Sequence, residues 1–313
     1  MSRYVVMGFG PAGAATARFL AGEGHSVRVV TRSGRSPEPG IEHVALDAVD
    51  TAAVIEAARG ATALFQCAAP PYHRWTEQLP RLASSLCAAA ESTGAVLVML
   101  GNLYGYGPVD GPLTEDLPLA ATGPKGRVRA ACWEQARQLH VQGRITAVEV
   151  RASDFFGPGV TDGGHLAARV VPRLLRGKSV SSLGDPDAPH AWSYVPDVAR
   201  ALVEVAGDER AWGRAWHAPT GPALSTREMV ARLADRAGTG PVAVRRLPPA
   251  ALGAASLFSP LIRELREIRH QFDRPFLMDS SAYEKAFTVR ATPVEEQVEA
   301  TVAWWRERLA AGG

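Results

Sequence analysis

Apolar residues recur along the first half of the chain with two alternating periods. Tyr4-Val5-Val6-Met7 is a short β-rich run, and Ala14 to Ala21 then places small and apolar residues as a helix packed on a sheet would. The same exchange continues: strand signals at Ser26 to Thr31, Glu42 to Leu46, Ala63 to Cys67, Ala95 to Leu100 and Thr146 to Val150, and helix signals at Thr51 to Arg59, Trp75 to Thr93 and Gly126 to Gln142. Alternation of this kind predicts an α/β fold: a doubly wound parallel sheet covered on both faces, with ligand at the carboxyl ends of its strands. No repeat or low-complexity linker interrupts it. The Pro/Gly-rich stretch Gly105 to Gly126 reads as a loop on the active-site side.

Between the first strand and helix stands Gly8-Phe9-Gly10-Pro11-Ala12-Gly13. Gly8 permits the tight turn, Gly10 lets backbone approach a pyrophosphate, and Gly13 lets helix and strand lie close, while the helix N-terminus offers free N–H groups to phosphate. Pro11 has no N–H to lose in a first helical turn. Gly22-Glu23-Gly24-His25 closes the helix and Ser26 to Thr31 completes a βαβ unit, so these residues predict dinucleotide binding. Beyond the second strand, Thr31-Arg32-Ser33-Gly34-Arg35 carries no carboxylate to hold a ribose 2′-hydroxyl. A guanidinium there pairs with a 2′-phosphate, so Thr31 and Arg32 favour NADP(H) over NAD(H). The competing reading is that Arg32 and Arg35 are solvated loop arginines.

Length and composition narrow the class. The 313 residues suit about two domains, and 46% hydrophobic with 21% charged residues is a globular composition. Lys+Arg 34 against Asp+Glu 32 gives +2 with interspersed signs, which predicts neither nucleic acid nor an anionic membrane as partner. Three cysteines without a C-x-x-C pair fit reduced, buried thiols, and no leader or membrane-length apolar run is visible, so a soluble cytoplasmic protein is expected. The eight histidines show no H-x-x-x-H spacing, so no metal site is expected, and no G-x-S-x-G elbow suggests a serine hydrolase.

Further motifs resemble those of the extended or atypical short-chain dehydrogenase/reductases, also called NAD-dependent epimerase/dehydratases. They are Asp47 after the third strand, Cys67-Ala68-Ala69-Pro70, Tyr104-Gly105, Leu113-Thr114-Glu115-Asp116-Leu117-Pro118, Arg151-Ala152-Ser153-Asp154-Phe155-Phe156-Gly157-Pro158-Gly159, and Trp192-Ser193-Tyr194-Val195-Pro196-Asp197-Val198-Ala199. The ninefold run from Arg151 is similar to the family's R-x-x-N-x-x-G-P-G. The resemblance implies a Rossmann domain over residues 1–156 with a return segment at about 190–215, and a smaller, noncontiguous substrate-binding lobe within 157–313. It implies that Asp47 contacts adenine, that Ala68, Ala69 and Pro70 form a small-residue turn beside the cofactor, and that Phe155 lies at the cofactor side. A small-molecule substrate and a homodimer are implied too. Leu261 to Phe272 reads as an amphipathic helix with a solvated charged face.

The chain departs from its relatives in the catalytic residues. The family uses a Ser or Thr near the end of the fifth strand and a Tyr-x-x-x-Lys on the next helix; alignment places Leu100, Gly126 and Ala130 there, and no tyrosine occurs between Tyr106 and Tyr194. A replacement proton donor must lie within hydrogen-bond reach of a substrate oxygen. Tyr104 and Tyr106, which follow the fifth strand, are the first candidates, with Asn102 and Lys125 beside them; Tyr104 competes with a role in shaping the pocket. Tyr72-His73-Arg74-Trp75 reads mainly as a packed aromatic edge, His190 and Tyr194 are secondary candidates, and Asp154 reads as a hydrogen-bonding cap. Three functions follow: an NADP(H)-dependent oxidoreductase acting on a small-molecule carbonyl or imine; a biosynthetic epimerase, dehydratase or cyclase of the same fold; or a noncatalytic NADP(H)-binding sensor.

Overall fold

In the first strand, β1 (Arg3–Met7), the consecutive residues Val5, Val6 and Met7 are apolar and buried because the strand lies inside a sheet, and a Pro at the first helical position starts α1 (Pro11–Gly22) immediately after the glycine turn. The computed structural model describes residues 1–34, 38–162, 164–248 and 267–311. Then follow β2 (Ser26–Thr31), β3 (Glu42–Ala45), α2 (Thr51–Ala58), β4 (Ala63–Gln66), α3 (Trp75–Thr93), β5 (Val96–Asn102), α4 (Pro124–Val141) and β6 (Ala147–Ala152). After them come β7 (Asp154–Phe156), α5 (Val171–Leu174), β8 (Val180–Ser182), β9 (Trp192–Tyr194), α6 (Val195–Gly207), β10 (Ala215–His217), α7 (Thr226–Ala237), β11 (Val244–Arg246), α8 (Ser281–Phe287) and α9 (Val294–Ala311), with a helical turn at His270–Asp273.

Seven strands pair in the order β10-β6-β5-β4-β1-β2-β3, every pair parallel. This is the expected doubly wound α/β sheet. On one face α2, α3 and α4 bury Val54, Leu79, Leu82, Leu86, Val128 and Trp133 against Val5, Met7, Leu64, Leu97 and Met99. Each such side chain contributes about 1.5–3 kcal/mol over leaving it in water.

The chain divides into two compact units: unit 1 holds residues 1–107, 118–152 and 198–218, and unit 2 holds 108–117, 153–197 and 219–313. Unit 1 contains the whole seven-stranded sheet. Unit 2 contains two small parallel sheets, β7 with β9 and β8 with β11, and its helices α5, α7 and α9 pack on one another. The expected loop Gly105 to Gly126 is shorter in fact, because a 3-10 turn occupies Tyr104–Tyr106 and α4 already begins at Pro124. Of the expected amphipathic segment, residues 261–266 lie outside the described residues. No helix among the described residues is long and apolar enough to cross a membrane.

Candidate cofactor cradle and active site

The glycine turn has the geometry its spacing predicts. Gly8 has φ +98 and donates its N–H to the Val30 carbonyl at 2.8 Å, and a Cβ built there would stand 2.7 Å from the Ala68 backbone. A Cβ on Gly13 would collide with the Gly8 carbonyl oxygen, so this residue holds α1 against the turn. Gly10 differs: a Cβ there would meet nothing within 4 Å. It is the N-cap of α1, with no side-chain cap and no acidic residue in the first turn, so the positive dipole end of the helix has no side-chain partner there. Among the residues expected to surround a cofactor, Phe9 packs edge-on against His43 at 5.1 Å, and the Ala68 and Pro70 carbonyls accept from Gln66 Nε2 and Trp75 Nε1. The Asp47 carboxylate accepts from the Val49 N–H at 3.2 Å, and Thr31 Oγ1 accepts from Gly34 N at 3.1 Å. Arg32 is exposed just past β2, while Arg35 lies outside the described residues. Glu38 is bound by Arg18 (Nε to Oε1 3.0 Å), and that hydrogen bond holds its carboxyl below the usual range. Phe155 stands on β7 in unit 2, whereas the other expected cofactor residues stand in unit 1.

One face of α4 carries cations onto aromatic rings. Lys125, only 2% exposed, sets Nζ 4.7 Å from the Tyr72 ring centroid, and Arg129, one turn later, sets Cζ 4.3 Å from that of Trp75. Arg129 Nη1 donates to the Leu100 carbonyl at 3.2 Å, and its Nε has no hydrogen-bond partner among the described residues. Burial lowers the Arg129 pKa, against the opposing effects of Glu149, Cys132, Tyr104 and Tyr72. The half-buried Tyr104 ring completes the group at 5.9 Å from Trp75 and 6.4 Å from Tyr72. Asn102 turns inward: its Oδ1 accepts from the Tyr104 N–H at 3.2 Å. The helix lies so close to this turn that a Cβ on Gly126 would be 2.5 Å from the Tyr104 carbonyl oxygen and pressed on Ala121. Backbone thus fills the place to which alignment assigns the family's helix tyrosine.

Tyr106 has a different setting. Its ring is 1% exposed; the hydroxyl accepts from Arg151 Nη1 at 2.7 Å and meets His217 Nε2 at 2.7 Å. Arginine can only donate, so the phenol is left to give its own proton to His217. Arg151 Nε donates to Glu149 Oε2 at 2.6 Å. Burial pushes the Glu149 carboxyl upward; burial would lower Arg151, but Glu149 and Tyr106 outweigh it, and the guanidinium stays charged. The hydroxyl of Tyr106 is therefore engaged inside unit 1.

Unit 2 holds a second buried acid–histidine group. Asp154, the first residue of β7, meets His190 Nε2 through Oδ2 at 2.8 Å, and His190 Nδ1 faces the Gln271 carbonyl at 3.1 Å. The His165 ring lies 4.1 Å from that of Phe272, which also stacks on His190 at 5.5 Å. His165 lines a cavity of about 410 Å³ together with Arg169, Arg173, Ser181 and Leu183. Burial would raise Asp154, but His165 and His190 hold its carboxyl below the ordinary range; burial pushes His165 down to about 4. Tyr194 packs its ring on Gly157, and burial pushes its phenol up to about 12. Burial raises the thiols, Cys67 to about 12 and Cys87 and Cys132 to about 11, which disfavours the thiolate form.

Sequence reading did not single out Arg129, Glu149, His217, His165 or Arg169. Glu149-Val150-Arg151 did carry a signal, since two charges spaced by two in an otherwise apolar parallel strand must share one buried face. His165 carried none.

The family model described as "NAD dependent epimerase/dehydratase family" matches residues 4–215. None of the curated proteins matches the sequence. Among solved structures, the dTDP-glucose 4,6-dehydratase DesIV from Streptomyces venezuelae with NAD bound is similar at TM-score 0.79 and 21% identity, covering 99% of this chain and 98% of that one. UDP-glucuronic acid 4-epimerase from Bacillus cereus in complex with NAD is similar at TM-score 0.79 and 14% identity, covering 98% and 99%. The dTDP-glucose 4,6-dehydratase from Bacillus anthracis in complex with NAD gives TM-score 0.80 and 16% identity, covering 99% and 98%. At these identities the likeness is one of fold.

Proposed function

The chain belongs to the NAD dependent epimerase/dehydratase family, and from that premise we propose that it is an enzyme that binds a nicotinamide dinucleotide on the β1–α1 turn and alters a small polar substrate by transient oxidation, as in an epimerisation or elimination. The observation that carries this reading is the contrast within the glycine turn: Gly8 and Gly13 have no room for a side chain, while Gly10 faces open space at an uncapped helix N-terminus. A structural turn alone gives no reason for that opening, whereas a diphosphate seated there does. When bound, the nicotinamide supplies hydride acceptance and return.

The chain's own residues supply the rest. Tyr104 is the proposed proton-exchanging group, because it is half-buried, follows β5 at the carboxyl edge of the sheet and belongs to the ring cluster on which Lys125 and Arg129 rest. Positive charge at Lys125 and Arg129 suits a substrate oxygen that turns negative as its proton leaves. Tyr106 is not assigned this role, since Arg151 and His217 occupy its hydroxyl. Arg32 favours a 2′-phosphorylated coenzyme, and Glu38, the first carboxylate after it in the sequence, is already matched by Arg18. This preference for NADP(H) also supports a second reading, net reduction of a carbonyl or imine.

A panel of nucleotide-linked sugars and simple carbonyls, followed at once by product analysis and by nicotinamide absorbance, separates the two. Product formed at constant absorbance is the expected result; loss of absorbance in step with product selects net reduction. Tyr104→Phe and Lys125→Met each lower turnover by about 10²-fold or more while coenzyme affinity holds. Full turnover in both variants overturns the assignment.

A further inference from the structure

An arginine keeps its charge inside a protein, and a charge removed from water is ordinarily met by an opposite one. Arg151 obeys that rule: Nε donates to Glu149 Oε2 at 2.6 Å and Nη1 to the Tyr106 hydroxyl at 2.7 Å. Arg129 does not. Its Cζ stands 4.3 Å from the Trp75 ring centroid, Nη1 donates to the neutral Leu100 carbonyl at 3.2 Å, and the buried Nε has no acceptor among the described residues. No carboxylate among the described residues stands within ion-pairing distance of it, and Glu149, the acid whose charge it feels, is already bound by Arg151. One edge of the guanidinium, Nε with Nη2, is therefore left without an acceptor. The side chain is only partly buried, so a ligand can reach it.

We infer that Arg129 determines the substrate class: its open edge receives a carboxylate, so the compound altered beside Tyr104 is a hydroxy acid. Two N–H groups on one edge of a guanidinium match the two coplanar oxygens of a carboxylate. A carboxylate also brings the single negative charge that one guanidinium balances. The rings of Tyr72, Trp75 and Tyr104, with centroids 4.8 to 6.4 Å apart, form an apolar wall beside this edge, which strengthens an ion pair made there. Lys125, one turn earlier on α4, is left for the oxygen that loses its proton. Arg129, Lys125, Tyr104 and the ring wall all belong to unit 1. The inference rests on the reading of this cluster as the reacting site and names what that site selects. An arginine placed only to pack on Trp75 would give no preference between an acid and its neutral counterpart.

Matched probes that differ in the acid group alone test it: glycerate against glycerol, glucuronate against glucose, and UDP-glucuronate against UDP-glucose, each titrated calorimetrically into the full-length protein. In at least one pair the acid should bind about 10-fold or more tighter than its neutral counterpart, as a charge-assisted contact gives. Arg129→Met, which keeps an unbranched chain on Trp75, should bring that ratio down to about 1, and Arg129→Lys, which keeps the charge without the fork, should retain part of it. No preference for the acid in any pair, or a preference unchanged in Arg129→Met, overturns the inference. Should Arg129→Met not fold, the Arg129 Nε–H resonance of the ¹⁵N-labelled wild type, assigned by its loss in Arg129→Lys, decides: a shift on adding the preferred acid and none with its neutral counterpart upholds the inference, and equal shifts refute it. Binding is read without turnover, so acid preference with no reaction on any compound counts against the proposed function alone, while turnover without acid preference counts against this inference alone.

Discussion

Two buried groups each contain a histidine and an acid, and they are closed to different degrees. In unit 1, Glu149, Arg151, Tyr106 and His217 bind one another at the carboxyl ends of β5, β6 and β10, and each is close to fully buried. In unit 2, Asp154 and His190 meet directly, and their neighbour His165 faces a cavity. A buried ionic network whose members all find partners within the protein fixes a conformation. Here it fixes the turn Tyr104–Tyr106, and so the position of the Tyr104 ring. His165, by contrast, rests its ring on Phe272, which also stacks on His190, and lines the cavity. The comparison explains why two tyrosines separated by one residue receive different roles: Tyr106 points into the closed group and Tyr104 into the cluster of rings and cations.

The closed group breaks at the largest cost. Arg151→Met leaves the Glu149 carboxyl without its nearest partner, and a buried pair broken in this way costs about 3–5 kcal/mol; urea denaturation should give a correspondingly lower midpoint. A loss below 1 kcal/mol would mean that the network is not what holds the turn.

The open group is sharpened by pH. His165 is neutral in the folded chain because its pKa is lowered to about 4, whereas in the unfolded chain it takes a proton near the ordinary value of 6.5. The folded state therefore binds fewer protons, and this contribution to stability is intact above the unfolded pKa and drains away as pH falls from 6.5 toward 4. By pH 5 the loss through this one residue is about 2 kcal/mol. Denaturation of the wild type at pH 8 and 5, compared with His165→Gln, isolates it from His43 and His270, whose pKa values burial also lowers. Equal losses in both proteins would contradict a neutral His165.

The sheet was legible because its strands are continuous apolar runs and its turns are written in glycine. Strands β1 to β6 and helices α1 to α4 fall within a few residues of the apolar pattern. The short β10 left no such pattern; it is three residues long and gains its place from pairing with β6, which nothing local announces. The same holds for the sites. Gly8, Gly10 and Gly13 act within one turn and can be read from spacing. Asp154, His165 and His190 are scattered through unit 2 and meet through the pairing of β7 with β9 and their shared contact with Phe272. Gly126 shows the limit from the other side: its sequence position reveals the missing tyrosine, but only the packing shows that Tyr104 backbone takes up the space.

The account depends most on the glycine turn being a seat for a coenzyme diphosphate. Gly10 has φ −72, ordinary for any residue, and open space where a side chain would go. Gly10→Val should therefore fold with an unchanged thermal midpoint. Calorimetric titration with NADPH and NADH should find saturable binding to the wild type, tighter for NADPH, and a loss of about 10-fold or more in the variant, whose branched side chain would stand where the diphosphate must approach. Absence of binding by the wild type, or equal affinity in the two proteins, would contradict it.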